Sequence, residues 1–327
     1  MVTINDVAKK AQVSKSTVSN VFSDKKYTSP ELRARVLAVA KELNYKSNYY
    51  AKTLATKESR VISIAVNATQ KDYSTFHQNI LKGILEVCAQ KGYFLLINPL
   101  NHDVNSYFPV DGEIIMDPAE NDQQIRERHH IWIGRPPLIA GEASFVDNDN
   151  YLIGQQVTGF LVQNGLKKLG FLNTFKETTV AKERKKGYLS VVAKQKIKVN
   201  HHQFLQSKQD PRQFAYEATQ KLLLDKQVDG LIVDSDAMAH GVYQACFELG
   251  VSIPEELSVI AICSGFHDQD AFQPRLTTVE LNEFELGKQA GQMLIKKITS
   301  DSQEVDVALV KADLIVQDSV RLAPNEI

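Results

Sequence analysis

The chain of 327 residues predicts an α/β protein: an all-α helix-turn-helix head, then a body of two doubly wound parallel-sheet lobes. Three observations predict this. Apolar residues recur at helical spacing on both sides of a three-residue turn near the N-terminus. Positive charge is concentrated in the same stretch. Beyond residue 60, β-branched runs alternate with helical patterns, the order expected of parallel strands with crossover helices.

In the head, Ile4, Val7, Ala8 and Ala11 share one face of a first helix, and Val18, Val21 and Phe22 repeat the pattern in a second. The connection Gln12-Val13-Ser14 is too short for a flexible loop and suits a tight corner. Ser14 is placed to cap the second helix. That leaves Lys15, Ser16, Ser19 and Asn20 as an exposed polar face of the kind that enters a major groove.

Charge sets this segment apart. Twelve Lys and Arg against five Asp and Glu give residues 1–60 a net +7. The whole chain has 38 basic and 39 acidic residues, so the remainder carries −8. Phosphate neutralisation by Lys and Arg supplies most sequence-independent DNA affinity, and an acidic body discourages binding through the wrong surface.

A third helix begins at Thr28 or Ser29, where Pro30-Glu31 places proline and an acid in the first turn. Leu32, Val36, Val39, Ala40 and Leu43 form its apolar stripe, and Asn44-Tyr45 closes it. The segment Ser47-Asn48-Tyr49-Tyr50-Ala51-Lys52-Thr53-Leu54-Ala55 has room for about two helical turns. So short a helix is marginal in water and needs a partner chain or DNA. Small Ala51 and protruding Leu54 suit insertion into a minor groove, where an apolar wedge kinks the duplex.

The body opens with the strand run Val61–Val66, then a helix carrying Ile80, Ile84, Leu85 and Val87. Strand signals recur at 94–97, 112–116, 169–172, 230–233 and 258–262, with helical patterns at 152–164, 184–194, 212–225 and 238–249. Such alternation implies parallel sheets covered on both faces, with a cleft at the carboxyl ends of their strands. A single large α/β enzyme domain is the alternative.

The motifs together resemble a known family. Ile4-x-Asp6-Val7-Ala8-x-x-Ala11-x-Val13-Ser14-x-x-Thr17-Val18-Ser19, then Leu43-Asn44-Tyr45 and Ala51-x-x-Leu54, resemble the lactose-repressor (LacI/GalR) family of bacterial transcription regulators. The resemblance implies that Lys15, Ser16 and Asn20 face bases and that Leu54 is the lever of a hinge helix. It extends the DNA-facing set to Thr3, Ser14, Lys15, Ser16, Thr17, Ser19, Asn20, Tyr45, Asn48, Ala51, Leu54 and Ala55. Many members carry arginine where this chain has Asn20; asparagine pairs best with adenine and arginine with guanine.

Through the body, Val146-x-Asn148-Asp149, Gly165, Arg184-x-x-Gly187-Tyr188, Asp229-Gly230, Asp236-x-Met238-Ala239-x-Gly241 and Pro274-x-Leu276-Thr277-Thr278-Val279 are similar to the family's periplasmic-binding-protein-like effector module. That module implies three crossings between lobes, expected near 148, 281 and 308. The implied divisions are a head at 1–46, a hinge helix and linker at 47–60, a first lobe at 61–148 with 281–308, and a second at 149–280 with 309–322. Between Gly92-Tyr93 and Asp111-Gly112 the chain is too short for the usual helix plus strand edge, so the first lobe is expected to be trimmed.

The effector-facing set is Phe76, Asn148, Arg184, Ser235, Asp236 and Cys263. Arg184 stands at the family's effector-binding arginine, where its five donors can hold hydroxyls or a carboxylate; a surface salt bridge is the alternative. Phe76 can stack on a ligand face or join the core. Asp236 is expected to cap the helix starting near Ala237, with Ser235 at a position often taken by asparagine. At Cys263 the family commonly has an Asp that contacts effector hydroxyls, and a neutral thiol cannot replace that acceptor. Three readings stay open: an effector other than a standard hexose, substitution by Asp268 or His267, or loss of small-molecule binding.

Other chemistry is not supported. His129-His130 and His201-His202 are adjacent pairs without metal-ligand spacing, and neither P-loop nor GxSxG is present. No cofactor and no metal site are expected. No stretch of eighteen or more apolar residues suggests a membrane span, no apolar leader is evident, and Cys88, Cys246 and Cys263 resemble reduced intracellular thiols. The expected protein is a cytoplasmic, nucleoid-associated homodimeric repressor of carbohydrate-metabolism genes. It binds a palindromic double-stranded DNA operator and answers to a small-molecule effector, a sugar or related metabolite. The alternative is a non-sugar effector (a nucleoside or phosphorylated metabolite), or a decayed pocket controlled by a protein partner.

Overall fold

The computed structural model describes residues 2–23, 28–46, 58–66, 75–100, 108–116, 129–136, 142–173, 178–205, 209–263 and 271–324. The chain divides into two compact units, Met1–Ser59 and Arg60–Ile327. In the first, α1 (Ile4–Ala11), α2 (Lys15–Ser23) and α3 (Pro30–Glu42) enclose a small core of Val7, Ala8, Ala11, Val18, Val21, Val36 and Ala40.

The second unit contains two six-stranded sheets. The first is built from β1 (Val61–Val66), β2 (Phe94–Pro99), β3 (Gly112–Met116), β4 (His130–Ile133), β5 (Phe145–Asn148) and β11 (Val307–Val310), in the order β11-β5-β4-β3-β1-β2. The second is built from β6 (Lys168–Asn173), β7 (Val199–Phe204), β8 (Gly230–Val233), β9 (Ser258–Ile262), β10 (Thr277–Glu280) and β12 (Asp313–Ile315), in the order β12-β10-β9-β8-β6-β7. All pairs are parallel except β10 with β12. The two orders match position for position, and each reverses direction once, between β1 and β3 and between β6 and β8. Open α/β sheets place ligands outside the carboxyl ends of their strands at such a reversal.

In the second lobe, apolar side chains alternate between two cores. Leu172, Leu231, Val233, Val259 and Ala261 meet α7 (Pro211–Leu224) and α8 (Asp236–Leu249). Leu169, Phe171, Ile232, Ile260 and Ile262 meet α5 (Asn150–Gln163) and α6 (Thr179–Lys194). A strand buried on both faces has no polar side to show, which is why these runs are continuously apolar.

The first lobe is less symmetric. Its core of Ile62, Ile64, Ile114, Met116, Ile131 and Ile133 packs on α4 (Thr75–Lys91) and α9 (Glu283–Ser300). The opposite parity, Ala65, Ile115 and Trp132, joins Leu100 in a minor cluster without a described helix over it. Helices on both faces were the expectation; among the described residues only the second lobe has them.

The chain passes between lobes after β5, after β10 and after β11. Val310 still pairs with Asn148 in the first sheet and Asp313 already pairs with Glu280 in the second. The third passage therefore lies at Lys311-Ala312, a few residues beyond the position near 308 that the spacing suggested.

Candidate functional site

The head presents one face built by local capping. The amide and hydroxyl of Thr3 both donate to Asp6 Oδ2 at 2.8 Å, starting α1 and holding the Asp6 carboxyl below its ordinary range. α1 stops at Gln12, whose φ of 54° is left-handed, and Val13 N reaches back to Ala8 O at 3.0 Å. The chain then re-enters a helix at once. Ser14 Oγ accepts from Thr17 N at 3.0 Å and lies 2.7 Å from Ser16 Oγ and 2.8 Å from Thr17 Oγ1.

This corner leaves Lys15, Ser16 and Ser19 exposed and Asn20 half-buried along α2. Thr17 is half-buried against the turn. Two expected DNA-facing residues also have structural duties: Thr3 bonds Asp6, and Tyr45 packs on the head core with its ring 5.6 Å from Phe22. Asn44, at φ 51°, turns the chain so that Tyr45 N bonds Ala40 O at 2.8 Å. Asn48, Ala51, Leu54 and Ala55 lie outside the described residues, as do His267 and Asp268.

In the body, a buried polar chain runs along the passages between lobes. Asn148, at the end of β5, donates through Nδ2 to Leu281 O at 3.0 Å and to Val310 O at 2.9 Å. One amide thereby ties all three passages together. Both Nδ2 donors are thus committed to the passages between lobes, which gives Asn148 a hinge role.

Beside it, Asp147 accepts from Asn148 N, Asn150 Nδ2 and Arg135 N. Burial raises the Asp147 carboxyl, and those hydrogen bonds, with the nearby Arg184 charge, oppose the rise. The Arg135 carbonyl in turn accepts from Thr179 Oγ1 of the other lobe at 3.2 Å.

Asn150 passes the chain on, its Oδ1 accepting from Arg184 Nε at 3.0 Å, while Arg184 Nη1 pairs with Asp234. Arg184 is 6 % exposed, so the surface salt bridge considered for it is excluded. Gly154 and Gly187 allow this placement. A Cβ on Gly154 would strike the Arg184 carbonyl, so only the bare backbone lets α5 and α6 cross close enough to bury the guanidinium.

Asp234 follows β8, and the two residues after it differ from expectation. Ser235 is the cap of α8, its Oγ accepting from Met238 N at 3.2 Å. Asp236 is the first helical residue; it is exposed and accepts from Ala237 N at 2.8 Å. The strand ends at Val233 as expected, but the helix starts one residue earlier than Ala237, which moves the cap from Asp236 to Ser235.

Val233 pairs with Ala261, so Ser235 and Cys263 each follow two residues after the last position at which the two strands pair. Burial pushes the Cys263 thiol well up, and Asp236, Glu283 and Asp234 push it further. Phe76, in the first turn of α4, packs against the cores of both lobes. Phe76, Arg184, Ser235, Asp236 and Cys263 thus converge on the carboxyl ends of the strands.

Asp147, Asn150, Asp234 and Glu283 were not singled out from the sequence. Only Asn150 carried a signal, as the next polar residue after Asn148-Asp149. Among the described residues no group of three or more His, Cys, Asp and Glu is placed to hold a metal ion, and no helix is long and apolar enough to cross a membrane.

Comparison with known proteins gives two family matches. "Bacterial regulatory proteins, lacI family" covers residues 3–48, and "Periplasmic binding protein-like domain" covers residues 158–320. The chain is 28% identical to the HTH-type transcriptional repressor PurR of Histophilus somni, over 98% of this chain and 99% of that protein. It is 26% identical to the ribose operon repressor of Haemophilus influenzae over the same shares, and 27% identical to the probable repressor ExuR of Bacillus subtilis, again over 98% and 99%. The Lac repressor dimer bound to operator and the anti-inducer ONPF has a TM-score of 0.83 at 21% identity, covering 98% of this chain and 99% of that one. At that identity the likeness is one of fold.

Proposed function

Because the chain belongs to the lacI family of bacterial regulatory proteins, we propose that it is a ligand-responsive, sequence-specific DNA-binding repressor. It acts as a homodimer on a near-palindromic operator, and its action is regulatory rather than catalytic. The observation that carries the DNA half is the α2 face. Lys15, Ser16, Ser19 and Asn20 stand on a helix whose start is locked by Ser14 and whose back is buried through Val18 and Val21. The sequence adds a net +7 to this segment, which supplies phosphate affinity.

Two heads on a two-fold axis read matching half-sites. The segment around Ala51 and Leu54 forms the paired hinge, with Leu54 opening a central base step. In the body, ligand bound between lobes alters their relation about the Asn148 clamp. Reciprocal linkage then requires DNA to change ligand affinity by the same factor. The protein works in the cytoplasm on the nucleoid.

Footprinting of the full chain on the region upstream of its own gene tests the DNA reading, with a symmetric protected site as the expected result. No protected site in a genome-wide selection would remove the reading. Leu54→Ala is expected to lower both affinity and bend; full retention of both would remove the wedge.

A further inference from the structure

The cleft contains one acceptor that the fold leaves unmatched. Glu283, the first residue of α9, is 4 % exposed, and its Oε1 is a buried atom with no hydrogen-bond partner among the described residues. Buried acceptors are almost always satisfied, so an orphan of this kind calls for an external donor.

Register shows where it sits. Ile262 pairs with Val279, so the chain leaving β9 at Cys263 runs beside the chain leaving β10 toward α9. Glu283, Asp234 and Asp236 all act on the Cys263 thiol. Of the groups acting there, the guanidinium of Arg184 is committed to Asp234 and Asn150. Asp236 and Glu283 are left as two carboxyl groups with no cation against them in this set. Phe76 adds an aromatic surface, packed on cores that include Leu281 before Glu283 and Leu286 after it.

Carboxyl groups beside an aromatic face suit an ammonium group, through charge-assisted hydrogen bonds and cation–π attraction. A phosphate or carboxylate there would meet the like charge of these carboxyl groups. We propose that the cleft takes a small organic ligand bearing a protonated amine, with the ammonium on Glu283 and Asp236 and the carbon skeleton on Phe76. The inference rests on the ligand-responsive reading above and narrows its ligand to a cationic class.

Isothermal titration of the full chain with matched pairs tests it: glucosamine against glucose, 1,5-diaminopentane against 1,5-pentanediol, and glucose 6-phosphate as the anion. The expected result is that an amine binds about tenfold or more tightly than its hydroxyl twin. Glu283→Gln, which keeps shape and adds a donor, removes most of that preference. Asp236→Asn, at an exposed site, removes a smaller part and serves as the test if Glu283→Gln fails to fold.

Equal affinity within both pairs, a preference that survives both substitutions, tighter binding of glucose 6-phosphate, or silence of all five compounds would each overturn the proposal. Parallel operator titrations separate the two readings. A response to glucose equal to or stronger than that to glucosamine, or a stronger response to glucose 6-phosphate, discards the amine and leaves ligand response standing, whereas operator affinity unmoved by every compound counts against both.

Discussion

The helix caps of the head and the buried polar groups of the cleft are satisfied over different lengths of chain. In the head, Thr3 bonds Asp6, Ser14 bonds Thr17 and Ser29 bonds Leu32, each three residues apart. In the cleft, Asn148 bonds Leu281 and Val310, and Arg184 bonds Asn150 and Asp234, with separations of 34 to 162 residues. A locally closed network makes a small unit that folds around seven buried apolar residues. A network closed at long range makes the site and the lobe geometry the same object, so a ligand that touches one necessarily acts on the other. This is the physical basis for placing recognition of DNA in the head and the switch in the body.

The largest expected effect comes from breaking the long-range network. Asp234→Ala leaves the Arg184 guanidinium buried without its ion-pair partner. Breaking a buried pair in this way costs about 3–5 kcal/mol. Urea unfolding of the full chain should show the loss in the body transition. A change below about 1 kcal/mol would mean that Arg184 reaches water and the pair is not a structural tie.

Asn148→Leu comes next. It strands two carbonyls, Leu281 O and Val310 O, whose residues are buried. The expected cost is about 1–3 kcal/mol. Hydrogen exchange at the three passages between lobes should rise together; a rise at one alone would refute the single clamp.

Ser14→Ala, by contrast, removes one local cap and should cost the head about 1 kcal/mol. Circular dichroism of the head transition measures it, with the body transition unmoved.

Acid sharpens the comparison by a third route. His202, with its ring 5.6, 6.4 and 4.4 Å from those of Phe171, Tyr188 and Phe204, is pulled from its ordinary 6.5 down to about 4 by burial, with Lys185 adding to the shift. The folded body therefore binds fewer protons than the unfolded chain. Its stability is full above about 6.5 and declines as pH falls toward 4. Asp6 in the head is held below 3.8, so its contribution persists until more acid conditions. Melting curves at several pH values should show the body weakening before the head, and His202→Phe should flatten the body's decline. The reverse order would contradict these assignments.

The same contrast in bonding range explains what could be read from the sequence. The caps at Ser14 and Ser29, the tight corner at Gln12-Val13-Ser14 and the apolar stripe of α3 depend on neighbours within a few residues, so these parts of the head were legible in the sequence; the Thr3 cap and the left-handed turn at Gln12 were not. The strands Val61–Val66, Gly230–Val233 and Ser258–Ile262 were equally clear, because burial on both faces makes them apolar runs broken only by the small Ser63 and Ser258. Val199–Phe204 was not, since His201 and His202 occupy its middle and look like a polar pair. Phe145–Asn148 is short and ends in two polar residues, so its strand character comes from pairing with β4 and β11.

In the site, Arg184 was found by its motif but its partner was not, since Asp234 lies 50 residues away. Glu283 was hidden differently. An acid in the first turn of a helix is ordinary, and only the packing around it reveals the unmatched oxygen.

Base reading by α2 is tested most directly at Asn20. Selection of binding sites from random DNA should be run with the full chain and with Asn20→Arg. The expected result is two symmetric sites that differ at one position per half-site, adenine for Asn20 and guanine for Arg. Identical selected sites for the two proteins would contradict it.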